Sequence, residues 1–263
     1  MALLDIGFHG ATAVLTLNRP DQRNALNDAM RLELTHAVSV LRENTSVKAV
    51  ILYGAGGHFC AGGDVKAILG RESGARNAFD TRERIRNLHR WFDDLVDFEK
   101  PVIAAIEGVA YGAGLSLALS ADFVLASAEA KFCAAFIRLG LVPDLGAMYL
   151  LPRLVGLVRA KELVFSGRVV DAEEAAQIGL VYAVSKSNVL EDALVLAARF
   201  HEAPTAALGI SKLTMNHAFE SDRQAIYVQE AMAQALCRTS DFHQEALGRF
   251  INKLPALYQW QEL

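Results

Sequence analysis

The stretch that most constrains this chain is Glu107–Asp122, EGVAYGAGLSLALSAD. It follows Val102–Ile106, a short apolar run after Pro101. A run of this kind reads as a fully buried strand, although periodicity alone leaves a helix open. Gly108, Gly112 and Gly114 let the backbone turn sharply and let another group approach it closely. Leu115–Leu119 then alternates large and small residues without a charge, which predicts a buried helix. A strand-to-helix turn built this way leaves N–H groups unpaired at a helix N-terminus, a natural seat for negative charge.

The same arrangement occurs once earlier. Ala49–Tyr53 predicts the buried strand, Gly54–Gly63 the turn, and Asp64–Leu69 the start of a helix, so the chain reads as a repeating ββα architecture. Two such turns can aim two backbone N–H groups at one oxygen, the geometry of an oxyanion hole, in which losing one donor costs roughly 3 kcal/mol of barrier. GAGGHF, which starts at Gly54, begins a dinucleotide fingerprint, but Phe59 stands where its third glycine belongs.

Composition narrows the function classes. With 263 residues and 52% hydrophobic residues the chain has material for a large core. Lys and Arg total 26 against 30 Asp and Glu, a net charge of −4, so there is no basic excess for nucleic acid. Uncharged runs such as Gly108–Ala121 fall short of the roughly 18 residues that span a bilayer. The opening MALLDIGFHG lacks a basic region before an apolar run, and is not expected to be a secretory signal. Cys60, Cys133 and Cys237 have no metal or redox spacing. The expectation is a soluble, cytoplasmic protein.

FCAGGD at 59–64, GVAYGAGLSLALSAD at 108–122 and FIRLGLVPDLG at 136–146 together resemble the crotonase (enoyl-CoA hydratase/isomerase) superfamily, over essentially the whole chain and in the right order. The resemblance implies an α/β fold, a crotonase-like spiral of ββα units carrying an acyl-CoA site over residues 1–203. A C-terminal helical region over 204–263 would build a homotrimer, often stacked as a hexamer. It also implies that the Ala61 and Ala113 N–H groups hold the thioester oxygen of an acyl-CoA while an enolate forms. Gly62, Gly63, Asp64 and Gly112 would line that centre. Arg23, Asn24 and Leu26, in the polar loop Asn18–Asn27, would lie along the CoA, although Arg23 also reads as a solvated loop charge. Phe250 and Lys253 would meet the nucleotide of a neighbouring subunit, or else be a packing phenylalanine and a solvated lysine. CoA enters as part of the substrate, and no metal or other cofactor is implied.

The hydratases of this family carry two glutamates, at positions matched here by Ser116 and Phe136. Hydration activates water and delivers a proton, work for a pair of acid–base groups, and neither residue supplies one. Ser116 also imitates a nucleophile elbow, but it lies inside the helix and past the turn. Asp144, held between Val142-Pro143 and Leu145-Gly146, remains. It reads either as a cap for the helix that starts near Gly146 or, by resemblance to phenylacetate-pathway-type enoyl-CoA isomerases, as the catalytic base. Those relatives usually read PDxGG, whereas Ala147 stands here in place of the second glycine.

The rest of the chain supplies scaffold. Ala2–Phe8 and Ala11–Leu17 predict a hairpin, Asp28–Glu43 a helix, 71–81 an irregular surface segment, and Thr81–Phe98 an amphipathic helix. His89 lies at the apolar edge of that helix, where a packing role competes with the functional role of the histidine at the matching position in the 4-chlorobenzoyl-CoA dehalogenase branch. Asp171 is expected to cap a helix ended by Gly179, and helices alone follow Val189. The readings that remain are an enoyl-CoA isomerase with Asp144 as base, a 2-enoyl-CoA hydratase, a dehalogenase-like enzyme and a non-catalytic acyl-CoA binder.

Overall fold

The structure is a computed structural model that describes residues 2–65 and 78–260. Strands β1 (Leu4–His9) and β2 (Thr12–Leu17) form the expected hairpin, paired antiparallel from Leu4–Leu17 to His9–Thr12. Strand β2 then pairs in parallel with β3 (Ala49–Gly54), and β3 with β4 (Val102–Ile106), β6 (Phe123–Ser127) and β9 (Ala183–Ser185) in turn. The main sheet therefore runs β1-β2-β3-β4-β6-β9. Every residue of β4 is buried, as its unbroken apolar run requires of a strand covered on both faces.

A second, smaller sheet pairs β5 (Val109–Tyr111), β7 (Lys131–Cys133) and β8 (Val169–Asp171). Successive units thus cross from the main sheet to the second and then into a helix, as in β4, β5 and α3 (Ala113–Leu119). The earlier unit makes the same crossing between sheets. After β3 the chain joins the second sheet through a Cys60–Ala110 bridge. The helix expected over 64–69 lies mostly outside the described residues.

Helix α1 (Asp28–Glu43) starts where Asn27 accepts a hydrogen bond from the Met30 N–H, and it buries Met30, Leu34, Ala37, Val38 and Leu41 against the sheet. Helix α2 spans Ala78–Val96, so it begins earlier than Thr81 and ends before Phe98. Residues 78–81 are helical and not irregular; Asp80 in the first turn favours the N-terminal dipole. Residues 71–77 lie outside the described set.

Helices α4 (Ala147–Val155), α5 (Leu157–Ser166) and α6 (Ala172–Gln177) close the second sheet, and Asp171 caps α6 by accepting from the Glu174 N–H. Helix α7 (Val189–Ala198) covers the other face of the main sheet with Val189, Ala193, Leu196 and Ala197. Helix α8 (Thr205–Asn216) is anchored to the spiral by an ion pair, the buried Lys212 Nζ to Asp122 Oδ2 at 2.8 Å. Helices α9 (Arg223–Arg238) and α10 (Asp241–Ile251) bury no residue and leave Tyr227, Met232 and Leu236 exposed. Among the described residues no helix is long and apolar enough to cross a membrane.

Candidate active site

Two strand-to-helix turns meet at the centre of the spiral. The Cys60 N–H donates to the Val109 carbonyl (2.9 Å) and the Tyr111 N–H to the Cys60 carbonyl (3.0 Å), so the turn at 59–63 runs alongside β5. Contact is close enough that a Cβ on Gly62 would lie 2.9 Å from the Tyr111 carbonyl oxygen and 3.7 Å from the Ala113 nitrogen. Gly112 adopts φ 51°, ψ −122°, a conformation that a side chain would strain, and sends the chain into α3. As the first residue of α3, Ala113 has an N–H with no intrahelical acceptor.

The donor on the facing turn is not the one expected. The Ala61 N–H donates to the Arg23 carbonyl at 2.9 Å and is spent within the fold. Leu26 and Gly63 pair as a parallel bridge in which the Leu26 N–H donates to Gly62 and the Asp64 N–H to Leu26. That pattern turns the Gly63 N–H away from residue 26, and it makes no hydrogen bond among the described residues. Sequence alone places Gly63 beside the centre, but which N–H of a four-residue turn points outward depends on the strand it bridges.

The loop before α1 also departs from expectation. Asn24 is fully buried: its side-chain amide donates to the Ala55 and His58 carbonyls, and its Oδ1 accepts from the Arg19 N–H. Leu26 packs in the core. Both are structural here, because a turn with left-handed Arg23 (φ 47°) and Asn24 (φ 56°) needs its polar groups satisfied from inside. Asp64 pairs with Arg19 at 2.8 Å, and both side chains are mostly buried. Arg19, not singled out from sequence, thereby ties the loop to the 59–64 turn. Arg23 remains exposed.

Asp144 sits in the turn before α4. Gly146 and not Asp144 occupies the N-cap of that helix, with no side-chain cap bond, so the capping alternative fails. One carboxylate oxygen of Asp144, Oδ1, is buried and has no hydrogen-bond partner among the described residues. Burial pushes the Asp144 carboxyl above its ordinary range, against the opposing pull of His89 and Arg84 on α2. Exposed on α2, His89 therefore faces Asp144 electrostatically and is not a core residue.

Phe136, on a 3₁₀ turn over Ala135–Leu139, is nearly buried, and its ring would lie 4.0 Å from a Cβ on Gly112. Ser116 does not offer its hydroxyl to the site. It is fully buried and donates to the Asp144 carbonyl at 2.9 Å. Phe250 and Lys253 are both exposed, at the end of α10 and in the turn after it.

Parallel units that alternate between two sheets around facing glycine turns define a crotonase-fold protein. A crystal structure of an enoyl-CoA hydratase/isomerase from Cupriavidus metallidurans CH34 matches with a TM-score of 0.93 and 36% identity, over 100% of this chain and 98% of that one. The chain belongs to the enoyl-CoA hydratase/isomerase family, whose model matches residues 7–262. It is 35% identical to a 1,2-epoxyphenylacetyl-CoA isomerase of Escherichia coli K12 over 247 residues, 91% of each chain. It is 34% identical to a crotonyl-CoA hydratase of Syntrophomonas wolfei over 246 residues, 93% of each chain.

Proposed function

We propose that the protein is an acyl-CoA isomerase that moves the double bond of a 3-enoyl-CoA into conjugation, with Asp144 as its base. The Gly63 and Ala113 N–H groups receive the thioester oxygen. Asp144 removes a proton from carbon 2, the negative charge spreads onto that oxygen, and the same carboxyl returns the proton to carbon 4. One proton leaves and one is returned, so a single carboxyl suffices.

The observation that carries this reading is the buried, unpartnered Oδ1 of Asp144. A carboxyl held largely out of water with one oxygen unbonded is a stronger base than a solvated one, even against the hydrogen bond from its own backbone N–H. Against hydration stand Ser116, whose hydroxyl is committed to a backbone carbonyl, and Phe136, which carries no proton. The same reading includes a homotrimer built through α9 and α10, whose exposed Tyr227, Val228, Met232 and Leu236 would be covered by neighbouring copies.

The test is product analysis by mass spectrometry after incubation of 3-enoyl-CoA and 2-enoyl-CoA in deuterated water, beside Asp144→Asn. Double-bond migration without water addition, lost in the variant, is the expected result. Rapid water addition that persists in Asp144→Asn would overturn the isomerase reading.

A further inference from the structure

Asp144 needs to be aimed, and nothing among the described residues aims it through Oδ1. A hydrogen bond to the carboxylate would fix the side chain but also stabilise its charged form and weaken it as a base. The backbone of the turn must therefore do the positioning. That backbone is not at rest by its own preference: Leu145, a branched non-glycine residue, has φ 47°, and Gly146 follows at φ 69°. A left-handed residue of this type costs roughly 1–2 kcal/mol and persists only where its surroundings hold it.

Ser116 supplies the hold. Its side chain is completely buried, and its Oγ lies 2.9 Å from the Asp144 carbonyl oxygen and 3.4 Å from that of Gly112. The Asp144 carbonyl also accepts the Ala147 N–H at 3.1 Å, which closes the turn on itself. Among the described residues only the Ser116 hydrogen bond reaches from this turn to α3. Ser116 lies one helical turn beyond Ala113, so one hydroxyl links the helix that presents a backbone donor to the turn that presents the carboxylate.

We propose that Ser116 is a positioning residue that sets the Asp144 carboxylate relative to the Ala113 N–H while leaving Oδ1 unbonded. This rests on Asp144 being the base. Losing the tie lets the turn relax, and displacing a reacting group by about 1 Å can cost on the order of a hundredfold in rate. The loss falls on turnover and not on substrate binding, because Ser116 has no surface with which to meet substrate.

The experiment is steady-state kinetics of Ser116→Ala, Ser116→Thr, Asp144→Asn and the double variant Ser116→Ala/Asp144→Asn. Expected are a kcat lowered by about tenfold or more in Ser116→Ala with KM within about twofold, and recovery in Ser116→Thr, which keeps the hydroxyl. The double variant should be no slower than Asp144→Asn alone, since a residue acting through Asp144 has nothing left to position. Should the alanine variant unfold, Ser116→Cys keeps the side-chain size with a weaker donor, and an intermediate kcat is expected. Wild-type kcat in Ser116→Ala beside an inactive Asp144→Asn would overturn the role of Ser116 alone. Equally damaging would be a further full loss in the double variant, or a rise in KM with kcat unchanged. Wild-type turnover by Asp144→Asn would overturn the base assignment beneath it.

Discussion

The carbonyl oxygen of Cys60 lies against the α-carbon of Gly114, so close that a Cβ on Gly114 would sit 2.2 Å from it. This contact brings the two strand-to-helix turns together. Gly114→Ala is expected to force them apart, with a stability loss of about 1–3 kcal/mol by urea unfolding and a much larger proportional loss of turnover. Ala113→Gly should be close to wild type in kcat, because the donor there is a backbone N–H. An active, wild-type-stable Gly114→Ala would show that the turns need not touch.

With Asp144 as the proposed base, the acid limb of the pH–rate profile is expected to report its carboxyl. A base works deprotonated, and burial lifts this carboxyl above its ordinary range while His89 and Arg84 oppose the lift. Activity should therefore rise with pH through a midpoint above that of a solvated aspartate. His89→Gln, which removes one of the groups that oppose the lift, should move the midpoint higher. A downward shift in kcat/KM titrations would contradict the assignment.

The same shift has a consequence for stability. A carboxyl whose folded-state pKa is raised contributes stability that is fully present below the unfolded value and is lost as pH rises through the folded one. Relative to wild type, Asp144→Asn should accordingly gain in melting temperature as pH increases from 4 to 8. A difference that is flat with pH would mean that the carboxyl is not perturbed in solution.

Lys212 neutralises Asp122, whose Oδ2 also accepts the Val102 N–H at 2.7 Å. Burial raises the Asp122 carboxyl even with Lys212 beside it. Lys212→Met leaves the Asp122 carboxylate without its cation and should cost about 1 kcal/mol in urea unfolding. With the folded-state pKa raised further, the loss should be larger at pH 8 than at pH 5. Equal stability across that range would show that α8 is held by packing alone.

Cys60 lies in the 59–64 turn but is not expected to be reactive. Complete burial pushes its thiol up to about 12, against hydrogen bonds from the Gly62 and Leu26 backbones and the pull of Arg19. At pH 8 the folded protein should leave Cys60 unmodified by iodoacetamide in peptide mapping, and denaturant should expose it. Rapid labelling of the native protein would place the turn in water.

Much of this molecule is legible in the chain itself. Val102–Ile106 declares a doubly covered strand by its lack of any polar residue, and Gly108, Gly112 and Gly114 announce a turn that only small residues permit. Asp171 and Gly179 mark both ends of α6 through local bonding that neighbours in sequence supply. Asp144 stood out because Ser116 and Phe136 removed the alternatives.

What the sequence determined alone is what depends on period, on composition or on a residue's own backbone freedom: strands β1 to β4, most of the helices and the positions of the glycine turns. Tertiary structure decided which atoms those turns leave free. Ala61 reads as the donor and Gly63 only as a lining residue until Arg23 takes the first N–H and Leu26 turns the second outward. Asn24 reads as a binding residue until three backbone groups claim its amide. Ser116 stands where the resemblance puts a hydratase glutamate, and the fold instead returns Asp144 to it from 28 residues away. A hydrogen-bonding group is available only if no partner in the fold has taken it, and those partners come from parts of the chain that only folding brings together.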